Sequence, residues 1–143
     1  MTTSIKPPVW FWVVSVIALL WNLMGVFNYL NQAFNQQAIL ESLNQAQREV
    51  FEGIPAWATA CFALAVFSGT IASIALFLRK KWAKPLFIFS LITAVIQFAH
   101  WLFISNAVEA FGPSTYGMPI TVIIIGILLV LFSKKAIDKG WLA

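Results

Sequence analysis

Charge is missing from four long stretches of this chain. Pro7–Leu40, Gly53–Leu78, Pro85–Val108 and Ala110–Ser133 contain no Asp, Glu, Lys or Arg. Each is long enough to cross a bilayer, because about 20 helical residues rising about 1.5 Å each span a hydrocarbon core of roughly 30 Å. All fourteen charged side chains, nine basic and five acidic, lie outside or between these stretches. The chain is therefore predicted to be an all-α membrane protein, a single domain over residues 1–143 built as a four-transmembrane-helix bundle.

Composition excludes the soluble alternatives. The sequence is 61% hydrophobic and 10% charged, with a mean hydropathy of +0.86. Helices that are apolar all round aggregate in water. A pI near 9.5 would fit nucleic acid, but the basic residues sit beside apolar spans, where lipid headgroups and topology account for them. No nucleic-acid partner is expected; membrane lipids are. Cys61 is the only cysteine and lies inside an apolar run, so it reads as a small packed residue and no CxxC or Cys/His metal pattern exists. No cofactor or metal is expected. Near the start, Lys6 precedes an apolar run to about Phe27 with no clean cleavage site, which reads as a retained signal anchor.

The spans are expected at about 9–33, 55–78, 85–105 and 118–133. Pro7 and Pro8, Pro55, Pro85 and Pro119 mark their starts, because Pro is tolerated in a first helical turn. Arg79, Lys80, Lys81 and Lys84 follow span two, Lys134, Lys135 and Lys139 follow span four, and Lys6 precedes span one. The opposite side carries Glu41, Glu49, Glu52 and Glu109 with Arg48 as its only base. The positive-inside rule then places both termini in the cytoplasm. On this layout Trp10, Trp12, Trp82 and Trp141 mark the inner interface, and Tyr29, Trp57, Trp101 and Tyr116 the outer one. Between spans one and two, Ile39, Leu43, Ala46 and Val50 recur on one helical face, predicting a short extracytoplasmic amphipathic helix over about 37–51. Arg48 and Glu52 are spaced to pair on it, for about 0.3–0.5 kcal/mol. The connector 106–117 holds a Gly-Pro-Ser turn signal and reads as an irregular loop.

Polar residues within the spans fall into stripes. Span one carries Ser15, Ala18, Asn22, Gly25, Tyr29 and Gln32 on one face, and span three carries Ser90, Thr93, Gln97, His100 and Ile104. Span two offers Ala58, Cys61, Ala65, Ser68, Gly69, Ala72 and Ala75, small residues that let backbones approach. Span four is the least featured and is expected to be the most lipid-exposed. Asn22, Gln97 and His100 are the candidate centre of a ligand site, with Trp21, Asn28, Tyr29 and Trp101 nearby and Glu52 and Glu109 at its mouth. The bland account of the same residues is interhelical hydrogen bonding at about 0.6 kcal/mol per pair. A single His, no HExxH, no GxSxG, no glycine-rich phosphate loop and no carboxylate within a span leave no catalytic constellation.

The segments WNLMGVFNYL, EGIPAWATACFALAVFSGT, RKKWAKPLF and YGMPITVIIIGILL resemble a group of small bacterial four-span proteins, often labelled "sugar transporter" or "hypothetical membrane protein". The resemblance implies a bacterial inner-membrane location and favours transport; it assigns no binding residue. Three readings follow. The first is binding or transport of a small molecule, a sugar or a lipophilic compound, through a polar site between spans one and three, in a homo-oligomer such as a dimer. The second is a structural or accessory membrane subunit with no ligand. The third is a membrane enzyme acting on a lipid-like substrate, with His100 as acid or base.

Overall fold

A computed structural model describes residues 6–105 and 107–142. It is all-helical, 85% of it in helices, with no strand among the described residues. Four long helices carry the architecture: α1 (Val9–Phe34), α4 (Ala56–Phe77), α5 (Ala83–Ala99, prolonged by a π-helical turn over His100–Ile104) and α7 (Gly117–Asp138). All four are long and apolar enough to cross a membrane. Between them lie the short helices α2 (Gln36–Glu41), α3 (Gln45–Glu52) and α6 (Ala107–Phe111) and a 3₁₀ turn at Pro113–Tyr116. The expected spans are present with shifted ends: α5 starts before Pro85, and α7 runs past Ser133 through the basic pair Lys134 and Lys135.

The helices pack in the order α1–α4–α5–α7, with α4 between α1 and α5 and α5 between α4 and α7. The small residues of α4 explain its central place. Ala58, Ala65, Ser68, Ala72 and Ala75 are all buried, and α4 is the most buried of the four. α7 is the least buried. On the face of α1 opposite its polar stripe Val16, Leu20, Leu23, Phe27 and Leu30 are exposed, whereas Trp12 is half-buried against Phe11 and Phe77.

One junction ties three helices together. The Asn22 Nδ2 group donates to the Ala18 carbonyl at 2.8 Å and to the Ser73 hydroxyl at 3.0 Å. Ser73 donates to the Gly69 carbonyl at 2.9 Å, and Ser90 on α5 donates across to the Ala65 carbonyl at 2.6 Å. Gly69 lies under all of this: a Cβ there would sit 2.2 Å from Asn22 Oδ1 and 3.0 Å from Ser90 Oγ. A second close approach joins α5 to α7, where Leu91 Cδ1 lies 2.8 Å from the place a Cβ on Gly126 would take.

At the end of the bundle holding the basic residues, aromatic side chains seal the space between α1 and α7. Phe11 is fully buried and touches Trp12, Phe132 and Trp141 at ring separations of 5.1, 5.7 and 5.8 Å. Lys135 Nζ stands 5.3 Å from the Trp10 ring centre, within cation–π range. Trp141 differs from its expected interfacial place: it is 8% exposed and packs in the core. The cause is local. Gly140 takes φ +78°, the Trp141 amide donates back to the Ala136 carbonyl at 2.9 Å, and the chain folds onto the bundle. Arg79 Nε donates to the Trp141 carbonyl at 2.9 Å and fastens the turn.

The connectors at the other, acidic end also depart from expectation. The single helix over 37–51 is broken at Ser42–Asn44, where Asn44 and Gln47 form a reciprocal capping box that starts α3 afresh. Arg48 does not pair with Glu52; its Nε donates to the Leu40 carbonyl at 2.7 Å. Among its described residues the connector after α5 is helical rather than irregular, with a break at Gly112, φ +88°. Asn106, its expected first residue, lies outside the described residues. α3 packs on α6, with Gln47 Nε2 donating to the Ala110 carbonyl at 3.3 Å.

Gly69→Ala is expected to displace the Asn22 amide and destabilise the protein by about 1–3 kcal/mol, the usual range for an overpacked core site. Thermal unfolding of the purified variant checks this, and a melting point equal to wild type would show that the junction has slack.

Candidate functional site

Above the Asn22–Gly69 junction, towards the acidic end, the helices diverge and enclose a cavity of about 520 Å³. Its floor is Asn22, Gly25, Ala65 and Ser90, the last two joined by the Ser90–Ala65 hydrogen bond. Gln97, Phe98, His100 and Trp101 form the α5 wall, and Met118, Pro119 and Val122 form the α7 wall. Phe51, Ile54, Phe111 and Thr115, all from the connectors, cover the top.

Six of the nine sequence-predicted site residues line this space: Trp21, Asn22, Asn28, Gln97, His100 and Trp101. The structure brings them around one void but does not bond them to each other. α1 and α5 do not pack face to face, because α4 stands between them at the floor. Tyr29 is elsewhere, its ring edge-on to Phe62 at 5.6 Å and to Phe67 at 5.7 Å on α4.

Glu52 and Glu109 do not form a mouth to the cavity. α3 turns Val50 into the protein and Phe51 to the cavity, so Glu52, a further 100° round, is exposed. α6 buries Ala107 and gives Phe111 to the cavity, which leaves Glu109 on its far side. Glu109 lines a separate shallow hollow with Glu49, Val50 and Ser105. Among the described residues no group of three His, Cys, Asp or Glu is placed to hold a metal ion.

The π-helical turn shapes the α5 wall. The Ser105 amide donates to the His100 carbonyl at 3.0 Å, five residues back, and Ser105 Oγ donates to the Trp101 carbonyl at 2.5 Å. The wider turn shifts the helical register. Ser90, Thr93, Gln97 and His100 keep to the inward stripe, but Ile104, predicted on the same stripe, is 66% exposed. His100 is buried at 7% exposure, and the Trp57 ring stands edge-on to it at 5.1 Å. Trp101 leans on Phe111 at 5.6 Å.

The lining residues divide by how their polar groups are used. Asn22, Ser90 and Thr115 bond to the protein itself. The side chains of Asn28, Gln32, Gln97 and His100 make no hydrogen bond to another described residue, yet no fully enclosed side-chain N or O lacks a partner. Their polar atoms are therefore left accessible at the cavity lining, Asn28 at its exposed edge. No Asp, Glu, Lys or Arg lines it. The site thus offers neutral donors and acceptors between aromatic walls, a combination suited to an uncharged molecule.

Sequence reasoning missed part of the lining. Gly25, Gln32 and Ser90 lay on the recognised stripes without being singled out as site residues. Met118, Pro119 and Val122 carried no signal, since α7 is apolar all round and its facing side is fixed only by packing. No protein-family model, curated protein or solved structure matches the chain.

The division between spent and unspent polar groups has a measurable consequence. Asn22→Leu leaves the Ser73 hydroxyl without its donor and is expected to cost about 1–3 kcal/mol. Gln97→Leu removes no intramolecular hydrogen bond and is expected to change stability by under about 0.5 kcal/mol. Parallel thermal melts decide it; equal losses in both variants would mean that Gln97 is structural after all.

Proposed function

We propose that this chain is a multi-pass membrane protein that binds or transports a small molecule in the cavity between α1 and α5. The observation that carries the reading is the pairing of a void of about 520 Å³ with polar side chains, Gln97 and His100 above all, that the protein does not use for its own cohesion. That volume lies within the range of small-molecule sites. Polar groups in an apolar setting are costly unless bonded, so groups held open at such a place call for water or a ligand. A purely structural subunit accounts for Asn22, which is knitted into the helix junction, but not for Gln97 and His100. The Trp57 ring packs on the imidazole, but among the described residues no hydrogen bond orients a ring nitrogen for proton transfer, so the enzyme reading has no positioned acid or base behind it.

The membrane setting follows from the exterior. Leu20, Phe27, Ile92, Phe103 and Leu128 are each more than half exposed on a surface that carries no charge across the middle of the bundle. Lipid is the solvent in which such a surface is stable. Basic residues collect at the end with both chain termini and glutamates at the other, so the positive-inside rule sets the termini in the cytoplasm and the cavity in the outer half. The bacterial inner membrane is the setting implied by the sequence resemblance.

Two experiments test this. In a Cys61→Ala background, Lys81→Cys is expected to react with a membrane-impermeant maleimide only after the membrane is opened, and Glu41→Cys in intact cells; the reverse pattern would invert the protein. A thermal-shift screen of the purified protein against sugars, lipids and small cations is expected to give a stabilising compound, by about 2.7 kcal/mol at 100 times its Kd. The shift should vanish in Gln97→Ala and His100→Ala. If nothing stabilises the protein while both variants fold normally, the binding reading fails.

A further inference from the structure

The cavity has an opening as well as a lining, and the two together restrict what enters. α1 packs on α4 and α7 packs on α5, with little direct packing between α1 and α7. What joins these two helices is the ring cluster of Phe11, Trp10 and Phe132 at the basic end. Towards the acidic end the helices separate, and the cavity lies between them. Met24 on α1 and Met118 on α7 both line it and are 50% and 53% exposed, so the space reaches the surface of the bundle at these two side chains. The top is partly covered by Phe51, Ile54 and Phe111, each partly buried, and the gap ends towards the acidic end at Asn28 and Ser114, which also line the cavity and are exposed.

We infer that the ligand is an uncharged, ring-bearing amphiphile that reaches the cavity sideways from the hydrocarbon of the bilayer, through the gap between Met24 and Met118. This rests on the reading of the chain as a membrane protein with a ligand in this cavity. The lips of the gap are apolar and flexible methionines, which yield to passing groups. Behind them the aromatic faces of Trp21, Phe98 and Trp101 suit a ring, and the amide of Gln97 with the imidazole of His100 suits one hydrogen-bonding head. A charged molecule meets no counter-charge on the lining and leaves water at a large desolvation cost. A wholly polar one is insoluble in the lipid that the gap opens to.

The test uses the full chain in lipid nanodiscs, with empty nanodiscs subtracting bulk partition. Three probes are compared by equilibrium dialysis: 2-naphthol, the anion naphthalene-2-sulfonate, and glucose. The expected result is one 2-naphthol site per chain, at least tenfold weaker binding of the sulfonate and of glucose, and a tenfold loss of 2-naphthol affinity in Gln97→Leu. Met24→Trp, or Met118→Trp on the opposite lip if the first does not fold, is expected to slow 2-naphthol association severalfold. Glucose or the sulfonate binding best, with the same dependence on Gln97, would overturn the lateral uncharged ligand while leaving a binding cavity. Binding of none of the three would overturn it too, and the stability screen against unrelated ligands would then decide the wider reading separately. A disulfide between two copies through Met118→Cys would show the gap covered by a second chain and would also overturn it.

Discussion

Everything in this bundle hangs on the absence of a side chain at Gly69. Three helices approach it at once, and the amide of Asn22 and the hydroxyl of Ser90 fill the place of the missing Cβ. In the membrane setting proposed above, a helix gains little from burying leucine against leucine, since lipid tails are as apolar as the neighbour. Close backbone approach and a few hydrogen bonds must hold the helices instead, and here both come from the same few residues. Ser73, Gly69 and Ala65 on α4 offer the hydroxyl and carbonyls, and Asn22 and Ser90 reach in from either side.

That junction divides the interior into two halves with opposite character. Below it, Phe11, Phe87, Leu76, Leu129 and the folded-back Trp141 and Leu142 fill the space. Above it, bulky residues retreat to the walls and a void remains. The void lies between α1 and α7, which the ring cluster joins at the basic end but which share little direct packing towards the acidic end. There α3 and α6 pack on one another, and the rings of Phe51 and Phe111 reach over the cavity. A bundle pinned at one end can vary its width at the other with little disturbance to its core, which is useful for admitting a molecule.

Much of this was legible in the sequence, for physical reasons that differ by element. The long helices were, because charge cannot be hidden in hydrocarbon and its absence marks each span. The inward faces of α1 and α4 were, because small and polar residues repeat at helical spacing from Ser15 to Gln32 and from Ala58 to Ala75. The register past His100 was not: a π-helical turn follows from no residue preference, and it carries Ile104 off its stripe. Trp141 was misplaced because a tryptophan beside lysines looks the same whether it faces headgroups or folds inward; the positive φ of Gly140 decides. Glu52 and Glu109 were set at a mouth on charge alone, whereas helical phase, one residue past Phe51 and two before Phe111, turns them away. The α7 wall had no polar mark to reveal its facing side.

The uncharged lining has one more consequence. Each elementary charge carried across a membrane gains or loses about 2.3 kcal/mol per 100 mV of potential. No Asp, Glu, Lys or Arg lines the cavity, and an uncharged occupant adds no charge of its own. In an energised membrane the voltage would then neither load nor empty this site, and occupancy would follow concentration alone.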